Sequence, residues 1–385
     1  MYNILTLNKI AKIGTSRLGE DYAVGDSIAN PDAILVRSAS MHEYEMPESL
    51  LAIARAGAGV NNIPLDDCAK KGIVVFNTPG ANANAVKELV IMGLLMSSRK
   101  VLNGIEWAKT LKGNGDAVGK MVEKGKSQFA GPEIKGKKLG VVGLGAIGIL
   151  VANAAQALGM EVLGYDPFLS VDAALKLSTG VKHVTSLDDI YANSDYITVH
   201  VPLNADTKQM INAESIAKMK DGVRILNYSR DGLVNSTDVL AGIKNGKISA
   251  YVTDFATDDI LGEEGVIAMP HLGASTPESE DNCAVMAADE VKNYLENGNI
   301  VNSVNYPNAS MARTGDVRYC ILHKNAPKLL SKILEVIGST GANVENMDNK
   351  SRGEYAYTLV DTTGADADVA AIEAVEGVIR VRVIK

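Results

Sequence analysis

A chain of 385 residues with a net charge of −8 is longer than one hydrophobic core usually grows, so two or three domains are expected. The acidic balance argues against a general binder of nucleic acid or anionic lipid, and leaves any anionic substrate to a few local arginines. Three scattered cysteines (Cys68, Cys283, Cys320) with no CxxC pair speak against a disulfide framework or a metal site and suit a reducing, cytoplasmic setting.

The first residues, MYNILTLNKIAKIG, lack the apolar core and cleavage site of a secretory signal. Strand candidates follow at Ile4–Leu7, Ala33–Arg37, Leu51–Ala56 and Ile73–Asn77, and a helix begins near Asn82 and runs through VKELVIMGLLMSSRK. The glycine- and lysine-rich stretch Lys112–Gly136 shows little periodicity and reads as a surface connection. From Lys137 the β-rich runs resume as KLGVVG, EVLGYD, YITVHV, VRILN, SAYVTD and VIAMP, alternating with helical patterns. That alternation predicts a doubly wound parallel sheet of about six strands. Leu139–Met160 carries no charge over a span long enough to cross a bilayer. Its glycines gather at the front, however, which fits a strand, a turn and a helix.

The tail changes character. Strands are expected at Val317–His323, Asn343–Met347, Tyr355–Asp361 and Val378–Ile384, with helices at Pro327–Ser339 and Val369–Val375. The order βαββαβ is the ferredoxin-like split unit. Asn305–Gly315, with Pro307, reads as the linker before it.

Gly143-Leu-Gly145-Ala-Ile-Gly148 follows a strand and opens a helix, and a second strand ends at Asp166. Such a turn brings backbone amides and the helix dipole to a pyrophosphate. Asp166 is placed to accept hydrogen bonds from a ribose and to repel a 2′-phosphate, which selects NAD over NADP. Oxidising an alcohol by hydride transfer also needs a base, a cation to polarise the oxygen, and a group that orients the base. NYSRDGLVN offers Arg230, VTDFATDDI offers Asp254, Asp258 and Asp259, and PHLGAST offers His271. Each alone reads as an ordinary surface or turn residue. Their joint placement at strand C-termini of one nucleotide domain is what points to catalysis.

These segments, with NTPGANANAVKEL, resemble the D-isomer-specific 2-hydroxyacid dehydrogenases over essentially the whole chain. The resemblance implies a Rossmann-type NAD domain (99–282) inserted in a flavodoxin-like substrate domain (1–98 and 283–310), followed by a ferredoxin-like ACT domain (316–385). It implies that His271 takes the hydroxyl proton, that Arg230 clamps the carboxylate and polarises the C2 oxygen, and that Asp254 lies by the nicotinamide. Asp259 stands where the family usually has the Glu that orients the histidine, with Asp258 as competitor. Asp231 stands where Gly is usual. Ala146, Ile147, Val201, Tyr228, Gly273 and Ala274 are implied as further cofactor contacts, alongside Arg230 and His271 themselves.

Within the family, Arg37 with Ser38 and Arg55 before the Gly57-Ala58-Gly59 turn resemble the cations that members acting on 3-phosphoglycerate aim at the phosphate. The turn's amides, Ala58 and Gly59 among them, would receive the carboxylate. The implied reaction is oxidation of 3-phospho-D-glycerate to 3-phosphohydroxypyruvate with NAD, the opening step of L-serine biosynthesis, in a homo-oligomer. A glycerate, glyoxylate or lactate dehydrogenase, or a non-catalytic NADH sensor, are the alternatives. In serine-regulated relatives the effector is held at positions matching His323, Asn325 and Asn343. Here Lys328 replaces a Gly of that loop, which sets feedback by serine in question.

Overall fold

The computed structural model describes all 385 residues and divides the chain into two compact units, 1–82 with 276–385, and 83–275. No helix is long and apolar enough to cross a membrane.

The first unit opens with five parallel strands: β1 (Tyr2–Leu7), β2 (Tyr22–Gly25), β3 (Ala33–Val36), β4 (Ala52–Arg55) and β5 (Val74–Asn77). Their spatial order β2-β1-β3-β4-β5 is the flavodoxin-like doubly wound arrangement. Val36 pairs with Arg55, and Arg55 with Asn77, so the polar ends of neighbouring strands follow one another at the carboxyl edge. The helix Pro277–Asn297 covers this sheet, burying Cys283, Ala287, Val291 and Tyr294 with Leu35, Ala54 and Phe76. Thr276 caps its first turn by accepting from Ser279 N–H, and Gly298 ends it in a left-handed conformation.

The second unit is a seven-stranded parallel sheet, one strand more than expected. It comprises β6 (Lys138–Val142), β7 (Glu161–Tyr165), β8 (Lys182–Val184), β9 (Tyr196–Val199), β10 (Val223–Asn227), β11 (Ile248–Thr253) and β12 (Val266–Ala268). The order β12-β11-β10-β9-β6-β7-β8 is the Rossmann arrangement with one added edge strand. The uncharged run Leu139–Met160 is β6, the glycine turn and the helix Ala146–Ala157. The helix Ala83–Ser98, expected with the first domain, belongs to this unit, with its Val86, Val90 and Leu94 in the same core as Val141 and Val151. Lys112–Gly136 is largely helical rather than an irregular connection, with Val118–Gly125 as an α-helix flanked by 3-10 turns.

The tail forms β13 (Val317–Lys324), a helix Leu329–Ser339, β14 (Ala342–Arg352), β15 (Tyr355–Gly364), a helix Val369–Glu373 and β16 (Val378–Ile384). The antiparallel order β14-β15-β13-β16 is ferredoxin-like. It packs within the first unit through arginines that donate to main-chain carbonyls. Arg380 reaches Leu50 and Glu48, and Arg382 reaches Tyr294 and Leu295. Part of the expected linker is equally bound. Tyr306 is fully buried with its hydroxyl on the Ala69 carbonyl, and the Asn305 side chain bridges Ile73 and Val75.

Candidate active site

In the second unit the turn after β6 is shaped by close approaches. A Cβ on Gly148 would sit on the Gly143 carbonyl oxygen, so only glycine lets the helix lie this near the strand. Gly145 and Ala146 are not buried, no side chain caps the helix at Gly145, and the space where a Gly145 Cβ would be is open. Backbone amides there are available to an anion. Asp166 accepts Leu144 N–H and Phe168 N–H, both at 2.8 Å, which fixes its carboxylate beside that turn. Val201 is tied to the next loop because Ser229 Oγ donates to its carbonyl at 2.8 Å. Glycine turn, open helix N-terminus and fixed acid together fit a dinucleotide.

At the carboxyl ends of β10 and β11 lie the groups suited to chemistry. Arg230 is exposed, and the Asn227 side chain, buried at the end of β10, donates to its carbonyl at 3.0 Å and holds the turn. Asp231 turns its carboxylate to the Gly232 amide at 2.9 Å, so it caps its own turn instead of pairing with Arg230. Tyr228 is buried with an unpaired hydroxyl, packed where Gly93 leaves room for it. His271 is exposed and packs against Phe255 with the rings tilted, centroids 4.9 Å apart. Gly273 beside it is buried, with Val86 and the Asp254 carboxylate close by, while Ala274 is exposed.

The carboxylate that feels the His271 charge is Asp254. It is 2% exposed with neither oxygen hydrogen-bonded to a side chain. Burial pushes its pKa up, and the His271 charge and Gly273 amide pull the other way. Asp259 is joined to His271 by no hydrogen bond or ion pair. It is exposed and accepts the Thr257 hydroxyl at 2.6 Å, and hydrogen bonds from Ser236 and Thr257 hold its pKa down. The loop folds back on the start of the helix Ser236–Lys244, an outcome set by tertiary packing.

In the first unit Arg37, Arg55 and Asn77 occupy the ends of adjacent strands. Arg55 Nε donates to the Arg37 carbonyl at 3.0 Å, and its guanidinium lies over Gly57 and near Gly59. Gly57 has φ of 152°, and a Cβ there would strike that guanidinium. Asn77 donates to the Ala58 carbonyl at 2.6 Å and Thr78 N–H to that of Gly57 at 3.2 Å, so the next strand pins the turn. Arg37 pairs with Glu280 at 2.6 Å while both stay roughly half exposed. Ser38 N–H donates to the Asn8 side chain at 3.0 Å.

In the tail the three expected effector positions are engaged internally. His323 is 3% exposed, with Nε2 on the Thr358 hydroxyl and Nδ1 on the Lys324 carbonyl, both at 2.8 Å. Asn325 donates to the Gly353 carbonyl and Asn343 to Glu345. Lys328 has φ of 66°, the left-handed backbone that the replaced glycine takes without strain. One buried acid was missed by sequence reasoning. Glu290 occupies the apolar stripe Cys283–Ala287–Glu290–Tyr294, and that spacing was its signal.

Comparison with known proteins agrees with this geometry. Residues 91–273 match the model of the D-isomer specific 2-hydroxyacid dehydrogenase, NAD binding domain. D-3-phosphoglycerate dehydrogenase of Escherichia coli is 33% identical over 353 residues, covering 88% of this chain and 82% of that protein. The enzyme of the same name from Methanocaldococcus jannaschii is 33% identical over 320 residues, 80% of this chain, and the chain spans only 59% of its length. The crystal structure of NAD+-bound 3-phosphoglycerate dehydrogenase in Entamoeba histolytica superposes with a TM-score of 0.60 at 25% identity, covering 79% of this chain and 98% of that one. With its parallel dinucleotide sheet, its glycine turn and these relatives, the chain belongs to the D-isomer-specific 2-hydroxyacid dehydrogenase family.

Proposed function

We propose that the chain oxidises 3-phospho-D-glycerate to 3-phosphohydroxypyruvate with NAD, the reaction that opens L-serine biosynthesis. The observation that carries this reading is the pair Arg37 and Arg55 at the ends of neighbouring strands, beside a turn whose amides suit a carboxylate. A planar guanidinium binds phosphate or carboxylate in a bidentate fork, and two of them suit a substrate with a second anionic group. Arg230 holds the carboxylate and polarises the C2 oxygen, and His271 takes the proton of the C2 hydroxyl as the C2 hydrogen leaves with its electron pair. NAD held by these residues would supply the hydride acceptor. Asp166 and the turn Gly143–Gly148 hold its adenosine and pyrophosphate, and Asp254 stands behind His271.

The residues 316–385 act as an ACT-type regulatory or assembly module, and with His323 closed off serine is not its expected effector. A homo-oligomer is supported by exposed apolar side chains on the helices Ala83–Ser98 and Val101–Thr110, among them Leu95, Val101 and Ile105 at 45–49% exposure. Three buried free thiols suit a cytoplasmic setting.

Turnover of 3-phosphoglycerate and D-glycerate by the native enzyme and Arg55→Ala tests the substrate. Charge-assisted hydrogen bonds are worth about 1.5–3 kcal/mol each, so Arg55→Ala is expected to cost about tenfold or more in kcat/KM on 3-phosphoglycerate. On D-glycerate the loss should be small. Equal losses on both substrates would return the assignment to an unspecified 2-hydroxy acid.

A further inference from the structure

Glu290 lies on the helix Pro277–Asn297, 7% exposed, among alanines and valine where an apolar side chain would pack as well. Its Oε1 accepts from Asn302 Nδ2 at 2.7 Å, and Oε2 is buried without a partner. Burying an incompletely satisfied carboxyl is costly, so what it holds is of interest. Asn302 is a non-glycine residue in the left-handed region, φ 60°, a conformation that persists where surroundings impose it. An open surface pocket of about 500 Å³ lined by Gly80, Ala81, Asn282, Met286, Glu290 and Asn302 flanks the pair.

From Asn302 the contacts run directly to the substrate turn. The Asn302 carbonyl accepts Asn77 N–H at 3.3 Å, and Asn77 Nδ2 donates to the Ala58 carbonyl at 2.6 Å. The next residues keep this segment in register with β5, Ser303 bridging Phe76 and Val304 N–H reaching the Val75 carbonyl at 2.9 Å.

We propose that Glu290 is a positioning residue for the Gly57–Gly59 turn, acting through Asn302 and Asn77 to keep its amides where a substrate carboxylate is received. The proposal rests on the hydroxy-acid reading of that turn given above. Glu290 never touches substrate. It supplies an acceptor that fixes Asn302, and Asn302 fixes the strand end that carries the turn. Only Oε1 takes part in this link, and Oε2 has no partner.

Backbone amide exchange over residues 56–62, followed by mass spectrometry together with KM and kcat, tests it in Glu290→Leu, Asn302→Gly and Glu290→Gln. Asn302→Gly permits the left-handed backbone while removing the side-chain donor, which guards against a Glu290→Leu variant that does not fold. A hydrogen bond to a carboxyl is worth enough for about a tenfold effect. Glu290→Leu and Asn302→Gly are each expected to speed exchange in the turn and raise KM about tenfold, with kcat within about twofold. Glu290→Gln, which retains the acceptor, is expected to stay near native. The double variant is expected to be no worse than either single one, because both cut the same link. Native exchange in residues 56–62 for both disruptive variants would overturn the coupling. Faster exchange with an unchanged KM would instead overturn the hydroxy-acid reading of the turn, and the positioning role with it.

Discussion

Asp254 and Asp259 lie five residues apart after the same strand, yet their surroundings push them in opposite directions. Burial raises the pKa of Asp254, and hydrogen bonds from Ser236 and Thr257 lower that of Asp259. Of the two, Asp254 is the one on which the His271 charge acts, lowering its pKa against the effect of burial. In the oxidation direction His271 must be unprotonated to accept the hydroxyl proton. Asp254→Asn is therefore expected to move the histidine limb of the kcat/KM profile to lower pH, whereas Asp259→Asn leaves it in place. A shift in the Asp259 variant alone would instead make Asp259 the orienting group. The nucleotide turn and Asp166 were legible in the sequence because their geometry is local, set by glycines and a strand end within one βαβ unit. The surroundings of Asp259 were not legible, because they depend on how the loop after β11 folds back against Ser236.

At the scale of elements, the strands rich in Val, Ile and Leu were legible from composition alone. The short strands β2 and β8 were missed, being four and three residues with exposed positions that blur any pattern. The helix Val118–Gly125 was missed for a related reason, since it buries no residue and its glycines read as a loop. The helix Pro277–Asn297 illustrates a different cost, that of a carboxyl placed on its buried stripe. Burial pushes Glu290 from its ordinary value of 4.5 to about 8, with the Asn302 hydrogen bond opposing and the Asp289 charge adding. The folded state thus binds a proton that the unfolded chain has released between those two values. Its stabilising effect is fully present below about 4.5 and is lost as pH rises to about 8. Urea midpoints from pH 5 to 9 should therefore fall more steeply in the native protein than in Glu290→Gln, each unit of pKa separation being worth about 1.4 kcal/mol. Parallel curves for the two proteins would show that the carboxyl titrates normally.

At the scale of the whole molecule, the three-sheet plan was legible because each sheet has its own periodicity and connection length. The attachment of the tail was not, since Asn305–Gly315 has a linker's composition but carries the buried Tyr306. What binds the tail is a buried cation. Arg318 is fully buried and holds both oxygens of Asp361, at 2.6 and 2.8 Å, while donating to the carbonyls of Asn297, Met311 and Ala312. Removing one partner of such a pair strands the other charge, at about 3–5 kcal/mol. Arg318→Ala is expected to cost that much in denaturant unfolding and to lower protection across β13 and β15. Replacing Arg318 and Asp361 together by Met and Leu should be milder than the single change. A single variant within about 0.5 kcal/mol of native would show that the pair contributes nothing net.

The way the chain crosses between its two units also bears on how it is made. The unit 83–275 is continuous and has all of its sheet once residue 275 has left the ribosome. The first unit is split, and the core over β3, β4 and β5 includes Cys283, Ala287, Val291, Tyr294 and Leu295. Those side chains are synthesised about 200 residues after the strands they cover, a delay of roughly 10–40 s at about 5–20 residues per second. Through that interval the earliest strands wait with one apolar face open to solvent, while the later-made inserted unit closes first. The order of completion thus runs opposite to the order of the sequence.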